Sequence, residues 1–241
     1  MTDHTSLVAA SVAAYLLAAL SAVTGFGGGV LLLPVFTALF GLRVAVPVLT
    51  LAQLVSNGAR TAFNRHHLDR VVIRNFALGV VPTALVFGLL FAKAPAEPLQ
   101  RLLGAFLVAM VLWRHVRTRP AVPSARSFVT IGAVSGAGSA LLGSVGPLTA
   151  PFFLAYGLVK DAYIGTEAAG AVILHATKVA AYGAGDLLTP RVLTLGAFLA
   201  PATMLGAWTG KRLVQRISDT TFRWLVEAGL VVSGVLLLAG R

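Results

Sequence analysis

The chain contains no cysteine, which excludes a disulfide framework and thiolate chemistry and leaves the compartment unreadable from redox usage. Charge is scarce too, at 11% of residues, and acidic groups are the scarcer sign, with 8 Asp and Glu against 19 Lys and Arg. Long polar stretches are missing, so little chain is left for a separate soluble domain. Paired-histidine metal motifs, a nucleophile elbow and a phosphate-binding P-loop are absent as well. No enzymatic activity, cofactor or metal is expected, and the lack of a nucleotide site argues against a primary pump within this chain.

What the sequence has is apolar residue: 57% of 241 positions, with a mean hydropathy of +0.87. Apolar runs of about 18 residues or more recur along the whole length, the pattern of an all-α polytopic membrane protein. In a soluble protein the net charge of +11 would suggest nucleic acid. Here the basic residues lie in short loops between apolar segments, where membrane topology places them, and no nucleic-acid partner is expected. The first run, Leu7 to Val23, follows MTDHTS, which has no Lys or Arg to make a signal-peptide n-region, and it is read as mature structure.

The sequence also repeats itself. Gly25 to Pro34, GFGGGVLLLP, resembles Gly143 to Pro151, GSVGPLTAP, and the echo continues from IRNFALG (Ile73 to Gly79) to PRVLTLG (Pro190 to Gly196). Two halves follow, residues 1–120 and 121–241, forming one integral membrane domain. Each is expected to hold two short apolar pieces flanking the glycines and then three longer segments. The short pieces are 7–23 and 26–40 in the first half, and 127–142 and 145–157 in the second. The long ones are 44–63, 72–93 and 98–116, then 161–182, 190–213 and 219–239.

Loop charge separates two topologies. If each glycine-broken piece crosses the bilayer, Lys and Arg divide almost evenly between the two sides. If each is a hairpin returning to its own side, positions 65, 70, 74, 114, 117, 119, 126, 160, 211, 212, 216 and 223 share one side, leaving 43, 93, 101, 191 and 241 on the other. The second division obeys the positive-inside rule. It predicts six full spans, two hairpins, both termini outside the cytoplasm and a second half inserted upside down, an inverted-topology repeat. The cluster Arg114, Arg117, Arg119 and Arg126 then reads as ordinary topology charge, and Trp113, Trp208 and Trp224 as interface or lipid-facing anchors.

Four glycines in TGFGGG are costly inside a helix, at about 1 kcal/mol each relative to alanine. In lipid, non-helical backbone survives only where it is buried or lines a polar cavity. Gly27, Gly28 and Gly29 in the first half, and Ser144 and Gly146 in the second, therefore mark hairpin tips. There the start of the second short helix offers free N–H groups to an anion. Ser144 is placed to cap that helix, and Pro147 fits its first turn. Close helix packing by small residues is the alternative use of these glycines.

Polar side chains within spans are expensive and mark function. Gln53, Asn57 and Arg60 recur at i, i+4 and i+7 on one face. In the matching segment Glu167, His175 and Lys178 share one sector, and a shift of 118 residues lays Asn57 over His175 and Arg60 over Lys178. Two cations in equivalent positions suggest a dyad-symmetric anion site. Alternatively, Arg60 and Lys178 snorkel to an interface. Glu167 either neutralises Lys178 or, with His175, carries protons. Glu227 has no obvious partner.

GFGGGVLLLPVF, its weaker echo GSVGPLTAPFFLAYGL and the length of the chain resemble the TauE/SafE sulfite exporter family of small bacterial permeases. The resemblance covers essentially the whole chain. It implies secondary transport across the bacterial inner membrane of sulfite, sulfoacetate or another organosulfonate, driven by the proton motive force. The residue reading agrees with a small anionic substrate, since opposed helix N-termini with Arg60 and Lys178 match a sulfonate's three acceptor oxygens. An anion channel, an importer or a membrane subunit that binds a partner through its basic loops are the alternatives, and a homodimer is compatible with the apolar faces.

Overall fold

The computed structural model describes residues 8, 11–16, 19, 28–116, 122–158 and 160–213. Gly27, Trp224, Glu227, the segment 219–239 and most of 7–23 lie outside the described residues. Among those described, every regular element is helical: α1 (Gly28–Phe40), α2 (Leu42–Phe63), α3 (Arg70–Lys93), α4 (Ala96–Val116), α5 (Ser127–Leu142), α6 (Gly146–Ala155), α7 (Lys160–Ala184) and α8 (Pro190–Leu213). Residues 8, 11–16 and 19 are helical as well.

The boundaries fall where local chemistry sets them. Gly41, with φ +77°, turns the chain between α1 and α2, a conformation glycine adopts without Cβ strain. Asp69 starts α3 two residues before the apolar run by accepting from the N–H groups of Val71 and Val72, both at 3.0 Å, which satisfies two of the donors a helix start leaves open. α5 ends at Gly143, φ +81°, and after Ser144 and Val145 the chain re-enters a helix at Gly146. The helix breaks there, as the glycine pattern predicts.

Lengths sort the helices into two kinds. α2, α3, α7 and α8 have 22, 24, 25 and 24 residues, or about 33 to 38 Å at 1.5 Å per residue, enough for a hydrocarbon core of about 30 Å. α2 and α3 are also apolar enough to cross a membrane on composition. α5 and α6 have 16 and 10 residues, about 15 to 24 Å, too short to span alone, and the described part of α1 has 13. α3 exposes Leu78, Val81, Leu85, Val86 and Leu90, an apolar surface that suits lipid and would be a liability in water.

The helices meet through small residues. α3 crosses α5 with backbone against backbone: a Cβ added at Gly79 would lie 1.9 Å from the carbonyl oxygen of Val129, and one at Gly132 would lie 2.2 Å from that of Phe76. Without a hydrophobic drive between helices in lipid, such close approach is what gains dispersion energy. α7 packs against both α2 and α3, and Phe91 of α3 meets Tyr182 of α7 with ring centroids 5.5 Å apart. Two apolar clusters result. Leu32, Leu33, Phe36 and Leu49 gather with Phe91, Tyr182 and Leu195 in one, and Val72, Phe76, Val80, Phe128 and Phe153 in the other.

Candidate functional site

A cavity of about 50 Å³ lies where α2, α3, α5, α6 and α7 converge, lined by Gln53, Asn57, Arg60, Phe76, Ser135, Ser139, Ser144, Val145, Gly146, Thr149, Phe153, Glu167, Ala171, Leu174 and His175. The periodicity of each helix explains its share of the wall. Gln53, Asn57 and Arg60 stand at i, i+4 and i+7 on α2, and Glu167, Ala171, Leu174 and His175 at i, i+4, i+7 and i+8 on α7. Residues from both broken ends of the α5–α6 hairpin complete it.

Arg60 is held in place from two directions. Its Nη1 donates to Asn57 Oδ1 at 3.0 Å, and Asn57 Nδ2 in turn donates to the Gln53 carbonyl oxygen at 2.9 Å. Its Nη2 donates to Glu167 Oε2 at 3.1 Å, an ion pair across the α2–α7 interface with side chains 24% and 10% exposed. The guanidinium is thus oriented by a neutral amide below and a carboxylate opposite, and it remains partly open to the cavity.

Two further features point to a ligand. The first turn of α6 begins at Gly146, on the cavity wall, with Val145 as its N-cap and no side-chain hydrogen bond to its N–H groups. Those donors carry the positive end of the helix dipole. His175, only 5% exposed, lines the same cavity, and its Nδ1 is buried without a hydrogen-bond partner. Buried polar atoms are ordinarily paired, so this nitrogen points to a guest.

The structure therefore brings Gln53, Asn57, Arg60, Ser144, Gly146, Glu167 and His175 together around one space. Gly28 and Gly29 are the first described residues of α1. Three expectations change. Ser144 does not cap α6; the helix starts one residue later than a Ser144 cap requires, so Val145 takes the N-cap position and Ser144 faces the cavity, 8% exposed. Glu167 pairs with Arg60, not with Lys178.

Lys178 neither snorkels nor mirrors Arg60. It is fully buried, and its Nζ donates to Ser139 Oγ at 3.1 Å and to the Gly143 carbonyl oxygen at 2.9 Å. Tyr182 Oη, one turn on, donates to the Ala140 carbonyl oxygen at 2.8 Å. Together these side chains satisfy carbonyls that the C-terminus of α5 leaves open, so α7 holds the helix break. Replacing Lys178 by methionine keeps the stem and removes both bonds, leaving the buried Gly143 carbonyl oxygen only the 3.3 Å bond from Ser139 Oγ, at a cost of about 1.5–3 kcal/mol for the lost charged donor. The Lys178→Met protein should show a lowered unfolding temperature in detergent and faster amide exchange from Gly143 to Gly146. Unchanged exchange there would show that Lys178 does not hold the break.

The hydroxyls of Ser135, Ser139 and Thr149 were missed by sequence reasoning. Ser135 and Ser139 stand at i and i+4 within SGAGSALL, and that spacing on a short apolar helix was the available signal. The ring floor of Phe76 and Phe153, with centroids 5.8 Å apart, carries no mark in sequence that separates it from ordinary core. Among the described residues no group of acidic and histidine side chains has the arrangement of a metal site.

Helices long and apolar enough to span a bilayer, converging on a buried polar cavity with a helix broken at its wall, define a membrane transport protein. The profile of the sulfite exporter TauE/SafE family matches residues 10–237, and the chain belongs to that family. It is a family of membrane transporters, exporters of sulfite and related anions, and not of enzymes. No match was found among curated proteins or among solved structures.

Proposed function

We propose that the chain is a secondary transporter that exports small sulfur oxyanions, sulfite foremost, by exposing the Arg60 cavity alternately to the two sides of the inner membrane. The observation that carries this reading is the convergence on one cavity of the Arg60 guanidinium, the α6 N-terminus at Gly146 and the unpartnered Nδ1 of His175. A planar guanidinium offers paired donors to an oxyanion, and a helix start adds backbone N–H groups to the same guest. The Ser144 hydroxyl on the same wall supplies a further donor that does not depend on charge. Gly28 and Gly29, the first described residues of α1, belong by the sequence repeat to the counterpart tip on the first hairpin. Proton linkage runs through Glu167 or His175.

Size narrows the substrate. A cavity of about 50 Å³ holds about three to five water molecules, which matches the one sulfur and three oxygens of sulfite. Sulfoacetate and taurine carry about twice as many heavy atoms and need a wider space. Among the organosulfonates and sulfite suggested by the family resemblance, the described geometry favours sulfite.

Element order supports an inverted repeat with halves 1–120 and 121–241. Short α1 followed by long α2 and α3 has its parallel in short α6 followed by long α7 and α8, and the facing helices α2 and α7, which supply Arg60 and Glu167, are each the first long helix of their half. Three full spans per half then set both termini outside the cytoplasm.

Purified protein in liposomes, offered sulfite, sulfoacetate, taurine and chloride with and without a proton gradient, tests the function. Saturable sulfite movement that responds to the gradient, with weak or no movement of the larger sulfonates, is expected. Movement of chloride alone, or of no anion, would overturn the assignment.

A further inference from the structure

The cavity wall carries one cation and one anion that already neutralise each other, Arg60 and Glu167. An oxyanion entering beside them adds a negative charge that nothing in the wall balances, and an unbalanced charge in a membrane interior is expensive. It must also share a guanidinium whose Nη2 is engaged by a carboxylate. Both obstacles have one remedy. If Glu167 becomes a neutral carboxylic acid, the wall gains a net positive charge and Arg60 is released from its strongest acceptor. We propose that Glu167 is a tethered competitor for the substrate: its carboxylate holds the guanidinium donor that the anion needs, and anion binding displaces it while Glu167 takes up one proton. This rests on the reading of the cavity as the anion site and adds how that site is coupled.

The neighbouring groups leave this role to Glu167. On α7, Tyr163 stands one turn before it with a buried hydroxyl that has no partner. The Tyr163 hydroxyl can receive or support a carboxyl group that has swung away from Arg60. His175 lies two turns on; protonating it would add charge yet leave Arg60 held by the carboxylate. Lys178 is committed to Ser139 and Gly143. At the head of α3, the Asp69 carboxylate caps its own helix through Val71 and Val72, while its backbone N–H donates to Thr166 Oγ1 at 3.0 Å. From α2, Arg60 is the cation that faces Glu167. The proton balance is simple: one proton leaves solution and joins one Glu167 oxygen for each monoanion bound, so the net charge of the site is the same before and after.

The test uses chlorate, a pyramidal trioxoanion the size of sulfite whose single charge does not change with pH. Chlorate binding to the purified full-length protein, followed by calorimetry across mildly acid to mildly alkaline pH, should weaken by about tenfold per pH unit where Glu167 releases its proton. Glu167→Gln should bind chlorate at alkaline pH as tightly as the unmodified protein does at acid pH, with the slope gone. His175→Gln should bind more weakly and keep the slope. A Glu167→Gln protein that keeps the slope would overturn the proposal while leaving the anion site in place. Failure of the unmodified protein to bind chlorate or sulfite at any pH would remove the site reading and this proposal together. A pH dye in weak buffer supplies the second readout without a variant: on the alkaline limb, where binding weakens with pH, uptake of about one proton per chlorate bound is expected, and no uptake there overturns it.

Discussion

Arg60→Ala protein should move sulfite at least about 100-fold more slowly than the unmodified chain, the loss of about 3 kcal/mol expected when a charge-assisted donor pair is withdrawn from a buried anion. The substitution has a second effect, because it strands the Glu167 carboxylate, 10% exposed on its side chain, without its cation. Removing one member of a buried pair destabilises by about 3–5 kcal/mol, so Arg60→Ala alone confounds folding with function. Two companions separate them. Arg60→Ala with Glu167→Gln removes both charges and should recover the unfolding temperature in detergent without recovering transport. Arg60→Lys keeps a charge but not the planar fork that reaches Asn57 Oδ1 and Glu167 Oε2 together, and should transport with weakened apparent affinity. Full sulfite transport by the double variant would show that Arg60 does not touch the substrate.

The other large effect belongs to the fold. Gly79→Ala should prevent accumulation of folded protein in the membrane. The added Cβ would lie 1.9 Å from the carbonyl oxygen of Val129 and 2.6 Å from the backbone nitrogen of Ala133, so no side chain can rotate away to make room. The backbones of α3 and α5 would have to part along their length, at a cost above about 4 kcal/mol, within reach of the whole stability of a domain. Gly58→Ala on α2 is the control, since nothing lies within 4 Å of its added Cβ. It should leave the unfolding temperature unchanged or raise it, by up to about 1 kcal/mol of improved helix propensity. Size-exclusion profiles and thermal unfolding of the two variants in the same detergent decide the matter, and a folded, monodisperse Gly79→Ala protein would refute the close crossing.

Much of the fold was legible because apolar length and glycine breaks are local properties. The limits of α2, α3 and α7 and the start of α8 fall within about two residues of the apolar runs, and the break at Gly143 is written in GSVGPL. What was not legible depends on how far a side chain reaches. Eleven residues bring Lys178 back almost over Glu167 on a helical wheel, so sequence places both on the cavity face. Yet the four-carbon stem carries the Nζ along the helix to the end of α5, where open carbonyls outcompete the cavity as partners. The cap was misjudged for a similar reason: Ser144 is one position too early, because Gly143 needs two more residues to redirect the chain before Gly146 can start α6. Pairing across helices is the third gap. Periodicity says that Arg60 and Glu167 each face inward, and only the packing of α2 on α7 says that they face each other.

The crossing of α3 and α5 also constrains motion. Two helices that touch main chain to main chain at Gly79, Gly132 and Gly136 have no intervening side chains to act as bearings, so neither can roll or slide on the other without collision. Any rearrangement that turns the Arg60 cavity from one face of the membrane to the other carries α3 and α5 as a single block. The dihedral change then falls on joints between helices, and Gly41 at φ +77° and Gly157 at φ +103° have open space where a side chain would stand. Gly41 joins α1 to α2 and Gly157 follows α6, so a turn at either hinge also has to carry the packed side chains of that helix with it, Phe36 in α1 and Phe153 in α6.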